Sequence, residues 1–170
     1  MDTFLNETFA HKMQGFSLPR YNQLPNNGLY LEQTVRYINE CLSPISYVDL
    51  TGSMVRNYVK KGLITNPIHK FYYADHIAYL VAITILKQVT PLETLNKLFF
   101  RQRDTYINQV AYDYFCSELE NMLAYCFGLK NSVENIGVTH SIEKQMLRSA
   151  IISVSNMIYL RACFNELNQD

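Results

Sequence analysis

The stretch TGSMVRNYVKKGLITNPIHKFYYADHIAYLVAITILKQVTPLETLNKLF, residues 51–99, decides the fold of this 170-residue chain. It opens with Thr51, whose hydroxyl can cap free backbone N–H groups, and it predicts a helix of about ten residues that stops at Gly62. Residues 63–73 contain Pro67 and end in three successive aromatic residues, which favours a short hairpin over a helix. The stretch therefore predicts a basic helix followed directly by a small β-wing.

Apolar residues that recur every three or four positions predict further helices on both sides of this stretch. The predicted helices cover residues 29–42, 51–61, 74–89, a short segment from Thr90, 104–127 and 141–167. Residues 1–28 mix proline and asparagine with scattered aromatic residues, a composition typical of an arm that packs only in part. The whole pattern predicts an all-α fold with a minor β-wing.

Charge is distributed unevenly along the chain, although its formal net charge is zero. Between Thr51 and Arg103 there are eight basic residues and only two acidic ones, Asp75 and Glu93. The basic residues are Arg56, Lys60, Lys61, Lys70, Lys87, Lys97, Arg101 and Arg103. A basic segment in an otherwise acidic chain is typical of a local anion-binding face, although an ordinary solvated surface gives the same count.

The composition excludes several classes of protein. Hydrophobic residues make up 48% of the chain and charged residues 18%, which predicts a sizeable ordered core. The four cysteines form neither a CxxC pair nor a zinc-like spacing, so we expect no disulfide framework and no metal site. The most apolar stretch, residues 77–89, is shorter than the roughly 20 residues of a membrane-spanning helix. With no secretion signal at the N-terminus, these features favour a cytoplasmic protein without membrane attachment.

Signatures of catalysis are also missing from the sequence. The four histidines lie far apart without a matched acid or nucleophile, and no GxGxxG, P-loop or HExxH motif occurs. Asp75-His76 beside a tyrosine has the composition of a catalytic dyad, but a cap at a helix N-terminus explains it better. We therefore expect a protein that is not an enzyme and that needs no cofactor.

Residues 51–99 resemble the winged helix-turn-helix of the MerR regulators, in which a recognition helix of the form TLRYYE..GLL precedes a wing, a tyrosine and a SLEEI helix. MVRNY (54–58) stands at the place of TLRYY, GLI (62–64) at the place of GLL and PLETL (91–95) at the place of SLEEI. Over the whole chain, a lead sequence of the form LPxYxxLPxxxLYxxQxxxYxNxxLSP before this module is similar to the bacterial family called domain of unknown function 1836.

The MerR resemblance implies a winged helix-turn-helix module at residues 29–103. It implies an N-terminal arm at 1–28 and a C-terminal helical region at 104–170 for dimerisation or effector binding. Two departures from the MerR pattern concern DNA sequence preference, since Ser53 replaces a commonly basic residue and Asn57 replaces the first tyrosine of a pair.

The predicted DNA contacts lie on the helix 51–61 and on the wing 64–73. One helix surface that fits the major groove is shared by Ser53, Arg56, Asn57 and Lys60. Arginine can hold guanine and asparagine can hold adenine through paired hydrogen bonds, whereas serine, lysine and tyrosine commonly anchor phosphate. The full predicted set is Ser53, Arg56, Asn57, Tyr58, Lys60, Lys61, His69, Lys70 and Tyr72. The alternative is a protein-interaction adaptor that uses the winged fold without DNA, which zero net charge and the two departures favour.

The two long C-terminal helices predict two further properties. Bacterial helix-turn-helix proteins usually act as twofold dimers, so residues 104–167 are the predicted homodimer interface. Aromatic residues on these helices could enclose a flat or cationic small-molecule effector, or could simply fill the core and the dimer seam. These residues are Tyr106, Tyr112, Tyr114, Phe115, Tyr125, Phe127, Tyr159 and Phe164.

Overall fold

The structure, a computed structural model, describes residues 2–45, 48–136 and 140–168 of the chain. Within these ranges the α-helices are α1 Asp2–Met13, α2 Leu31–Leu42, α3 Gly52–Lys60, α4 Ala74–Leu86, α5 Leu92–Thr105, α6 Asn108–Cys126 and α7 Ile142–Leu167. A short 3-10 turn, Tyr21–Gln23, lies between α1 and α2. The prediction of a mostly helical chain is therefore confirmed.

The β-wing predicted at residues 63–73 is not formed. The only β-type pairings in the described ranges are two isolated bridges, Leu29 with Tyr72 and Ile68 with Phe71. Tyr72 exchanges two backbone hydrogen bonds with Leu29, at 2.9 and 2.8 Å, and Pro67, the residue opposite Tyr72 across the turn, has no N–H to donate. What remains of the wing is a tight turn at residues 68–71.

α4 lies at the centre of the molecule, as its nearly continuous apolar sequence predicts. Eleven of its 13 residues are buried, and it packs against α2, α5, α6 and α7. Leu80, Ile83 and Leu86 are completely inaccessible to solvent, and burial of a side chain of this size contributes about 1.5–3 kcal/mol. One continuous hydrophobic core surrounds α4, and α6 and α7 close it on one side.

Residues 2–28, whose composition predicts an arm that packs only in part, contain one α-helix and three buried side chains among those that the structure describes. Their first half forms α1, and the side chains of Met13, Leu18 and Leu24 are buried. We call residues 18–24 the lead-in. Polar contacts with α6, which cannot be recognised from composition, hold part of this segment against the core.

The lead-in is fastened to α6 by two carboxylates. The Arg20 guanidinium donates to both oxygens of Glu120, at 2.8 and 2.7 Å, and Leu18 N donates to the same carboxylate at 2.7 Å. Tyr21 N donates to Asp113 at 2.8 Å. The lead-in is therefore part of the folded unit.

Among the described residues, no helix is both long and apolar enough to cross a membrane.

Candidate nucleic-acid interface

A side-chain amide holds the connection between α2 and α3. Asn39 Nδ2 donates to Leu50 O at 2.9 Å, and Leu50 N donates to Asn39 Oδ1 at 2.8 Å. Leu50 itself is buried. These paired bonds fix the loop against α2, and they thereby fix the point at which α3 begins.

The ends of α3 are determined by the residues that the sequence indicated. Thr51 Oγ1 accepts a hydrogen bond from Met54 N at 3.2 Å, which is the predicted N-cap. At the other end, Gly62 has a φ of +74°, a conformation that glycine adopts without steric cost. Cap and stop together limit α3 to Gly52–Lys60.

One side of α3 is anchored in the core. Val55 and Tyr58 are buried, and the Tyr58 hydroxyl accepts a hydrogen bond at 3.1 Å from Lys87 Nζ, just beyond α4. Lys87 Nζ also lies 3.4 Å from Met54 Sδ. This anchorage directs the opposite side of α3 to the solvent.

Two of the nine predicted contact residues are therefore not on the surface. Tyr58 is only 3% exposed and Tyr72 only 4%. Burial raises the pKa of the Tyr72 hydroxyl above its ordinary value, and the nearby charge of Arg56 lowers it in part. Both tyrosines lie beneath the exposed side of α3 and the turn, so neither is part of the exposed surface.

The other seven predicted contact residues are exposed, and we call them the α3-turn surface. They are Ser53, Arg56, Asn57, Lys60, Lys61, His69 and Lys70. Throughout residues 2–45, 48–136 and 140–168, the side chains of Arg56, Lys60, Lys61 and Lys70 form no ion pair and no hydrogen bond. Four positive charges are thus presented to solvent, and no described acidic side chain is paired with them.

The turn at residues 68–71 places His69 and Lys70 at its tip. Ile68 N donates to Phe71 O at 3.0 Å and Phe71 N donates to Ile68 O at 2.9 Å. His69 and Lys70 have φ values of +49° and +71°, as the central residues of a type I′ turn require. Residues other than glycine rarely adopt this left-handed backbone conformation, which costs roughly 1–2 kcal/mol per residue.

His76 caps α4, which agrees with the cap interpretation of Asp75-His76. Its Nδ1 accepts a hydrogen bond from Tyr73 N at 3.0 Å. Its Nε2 lies 3.1 Å from Asn66 O and 3.2 Å from Thr65 Oγ1. The buried ring therefore joins the start of α4 to the segment that leads into the turn.

The aromatic residues predicted for an effector site separate into three groups. Tyr106, Tyr112, Tyr114 and Phe115 line one cavity. Phe127 and Tyr159 pack edge to face, with ring centres 5.3 Å apart, whereas Tyr125 and Phe164 are exposed. Within the described part of the chain, no group of three or more His, Cys, Asp and Glu residues could hold a metal ion.

Comparison with known proteins places the chain in a family. The model of the family described as Domain of unknown function (DUF1836) matches residues 19–115, which is more than half of the sequence, and the chain belongs to that family. No curated protein and no solved structure matches the chain. The matched segment includes residues 19–24 of the lead-in, α2 to α5 and the whole α3-turn surface.

Proposed function

We propose that this member of the DUF1836 family is a transcriptional regulator that binds double-stranded DNA through the α3-turn surface. The observation that carries the proposal is a set of exposed cations that have no partner among the residues that the structure describes, namely Arg56, Lys60, Lys61 and Lys70. DNA phosphates are the complementary group, because each phosphate contact releases condensed counterions. The resemblance of residues 51–99 to the MerR module supports the same assignment.

In the proposed complex, the exposed face of α3 enters the major groove. Arg56 and Asn57 contact base edges, while Lys60 and Lys61 contact the phosphate backbone. The turn places Lys70 against a neighbouring phosphate. Because Tyr58 and Lys87 already fix α3, the helix needs no rearrangement before it binds, which lowers the entropic cost of association.

We also propose that the protein acts as a homodimer through residues 104–167. Leu160, Phe164 and Leu167 follow one another at spacings of four and three on α7, and each is more than half exposed. Such an apolar stripe is typical of a surface that a partner covers. A twofold dimer would present two copies of α3 to paired half-sites. A monomer at every concentration in light scattering would contradict this assembly.

Gel-shift titration of mixed genomic fragments tests DNA binding. We expect binding at low salt whose affinity falls steeply as salt is raised, with a log–log slope near −0.9 per phosphate contacted. The double variant Arg56→Ala/Lys60→Ala should lose specific binding. The matched control Lys12→Ala/Lys130→Ala removes the same charge from residues that pair with Glu166 and Glu134, and it should bind normally. Equal affinity of the two double variants would exclude α3 as the reading helix.

One observation favours the rival function, a protein-interaction adaptor. Tyr30 and Ile68, close to the turn, are both more than half exposed, and the Tyr30 ring packs on Phe71 with centres 4.7 Å apart. An adaptor would use these apolar groups together with the cations to bind an acidic protein surface. If the protein does not bind DNA at low salt, the adaptor function is favoured over the regulator.

A further inference from the structure

A cavity of about 130 Å³ lies where α4, α5, α6 and α7 meet. Its walls are almost entirely apolar and include Ala82, Leu98, Phe99 and Phe115. Cavities of about 150 Å³ with apolar linings admit one benzene ring. The size and the lining of this cavity therefore suit a molecule built on a single aromatic ring.

The charged lining residues indicate the sign of the charge that such a molecule would carry. Glu143 is paired with Arg101, with 2.7 Å between Oε1 and Nη2. Among the described lining residues, the other charged one is the half-buried Lys144, whose Nζ lies 4.9 Å from the ring centre of Tyr114. An anionic group would be attracted to Lys144, whereas a cationic group would be repelled by it.

The aromatic faces of the cavity also disfavour a cationic ligand. Lys144 lies over the ring of Tyr106 at 5.6 Å as well as over Tyr114, and Arg103 lies over the ring of Tyr79 at 4.9 Å. These ring faces are thus already in contact with cationic side chains of the protein itself. Burial and the hydrogen bond to Glu118 raise the pKa of Tyr114 to about 12, so its hydroxyl is neutral at physiological pH.

We propose that this cavity is a binding site for a compact aromatic monocarboxylate, with the ring between α4 and α6 and the carboxylate at Lys144. Of the flat or cationic effectors considered from the sequence, this ligand has the flat ring but carries the opposite charge. Tyr79 and Phe99 complete the site, and both come from the segment that precedes the C-terminal helices.

Two contacts connect the cavity wall to the residues behind α3. Arg103 Nη2 donates to Leu63 O at 3.1 Å, while its Nε donates to the hydroxyl of Tyr79 at 3.3 Å. Leu86, which lines the cavity, precedes Lys87, the donor to Tyr58 of α3. A ligand that shifts Tyr79 would therefore also shift Arg103 and, through it, the backbone at Leu63. This coupling rests on the proposed function, whereas ligand binding does not.

Isothermal titration of the full chain with benzoate, benzyl alcohol and benzylamine tests the site without DNA. We expect benzoate to bind, benzyl alcohol to bind at least tenfold more weakly, and benzylamine not to bind. Lys144→Met should weaken benzoate binding at least tenfold, and the control Lys97→Met, at an exposed position outside the cavity, should leave it unchanged. Ala82→Leu, which fills the cavity without altering its charge, should abolish binding of both benzoate and the alcohol.

Absence of benzoate binding, or equal binding by wild type and Ala82→Leu, would overturn the proposed site. If Ala82→Leu does not fold, the comparison of Lys144→Met with Lys97→Met decides alone. Coupling is measured as the change in DNA affinity at saturating benzoate, expected to be at least fivefold. An unchanged affinity would overturn the coupling, whereas absence of DNA binding without benzoate would overturn the proposed function and leave the ligand site standing.

Discussion

The α3-turn surface and the lead-in both carry basic side chains, but the two regions differ in whether those side chains have hydrogen-bond partners. In the lead-in, Arg20 makes two hydrogen bonds to Glu120 and retains 33% of its side-chain exposure. On the α3-turn surface, the four cations are exposed, and none has such a partner in the described ranges. The comparison separates charges that the fold uses from charges that it leaves available to another molecule.

The largest effect that the comparison predicts is on stability at Arg20. Arg20→Ala leaves Glu120 largely buried, with the Leu18 amide as its remaining donor among the described residues. Loss of hydrogen bonds to a charged group costs about 1–3 kcal/mol of unfolding free energy here. The cost should appear as a lower urea midpoint in circular dichroism, with DNA affinity unchanged.

The matched control is Arg36→Ala on α2, because Arg36 is exposed and has no hydrogen-bond partner in the described part of the chain. Its urea midpoint should match that of wild type. If the two variants were equally stable, pairing of Arg20 would not distinguish the lead-in from the α3-turn surface.

A smaller effect, of opposite sign, is expected at the tip of the turn. The double variant His69→Asn/Lys70→Gly places the residue types that type I′ turns prefer at the two left-handed positions. It should raise the free energy of unfolding by about 1 kcal/mol. The same variant should reduce the log–log salt slope of DNA binding by about 1, because the Lys70 phosphate contact is lost.

His69→Asn alone serves as the control for the turn, since it eases the backbone at one position and keeps Lys70. It should stabilise the protein without changing the salt slope. A double variant that is less stable than wild type would show that the left-handed backbone carries no strain in this turn.

The smallest expected effect is on the stability of Arg56→Ala/Lys60→Ala. Exposed substitutions away from caps and networks usually change the free energy of unfolding by no more than about 0.5 kcal/mol. Thermal unfolding of this variant should therefore superimpose on that of wild type. A large loss of stability would mean that these two cations support the fold after all.

Helices were the most predictable part of this molecule. Apolar periodicity located α2, α3, α4, α6 and α7 to within a few residues, whereas α5, predicted as a short segment from Thr90, extends over 14 residues to Thr105. Thr51 and Gly62 marked the ends of α3 because cap and stop depend on local chemistry. The wing was predicted wrongly for a reason that lies outside its own segment. Phe71 and Tyr72 have strand propensity, but Tyr72 pairs with Leu29, which lies far before the predicted wing.

The charged residues of the candidate surface could be predicted from the sequence, but the burial of its tyrosines could not. Basic residues at helical spacing identified Arg56 and Lys60, whereas the burial of Tyr58 depends on α4, which follows it in the chain. Asn39 was missed because an amide near the end of an amphipathic helix gives no sign that it will bind Leu50, 11 residues later. The cavity was only half predicted, since Tyr79 and Phe99 come from helices assigned to the DNA-binding module.

The bond between Arg20 and Glu120 joins residues that are 100 positions apart. While the chain is being synthesised, the lead-in leaves the ribosome long before its carboxylate partner, and Leu18 and Leu24 remain without the core that later buries them. Contacts of such large sequence separation form late, because closing the loop costs entropy before any bond repays it. The helices that carry the α3-turn surface can thus fold in the nascent chain first, and arrival of α6 then locks the lead-in.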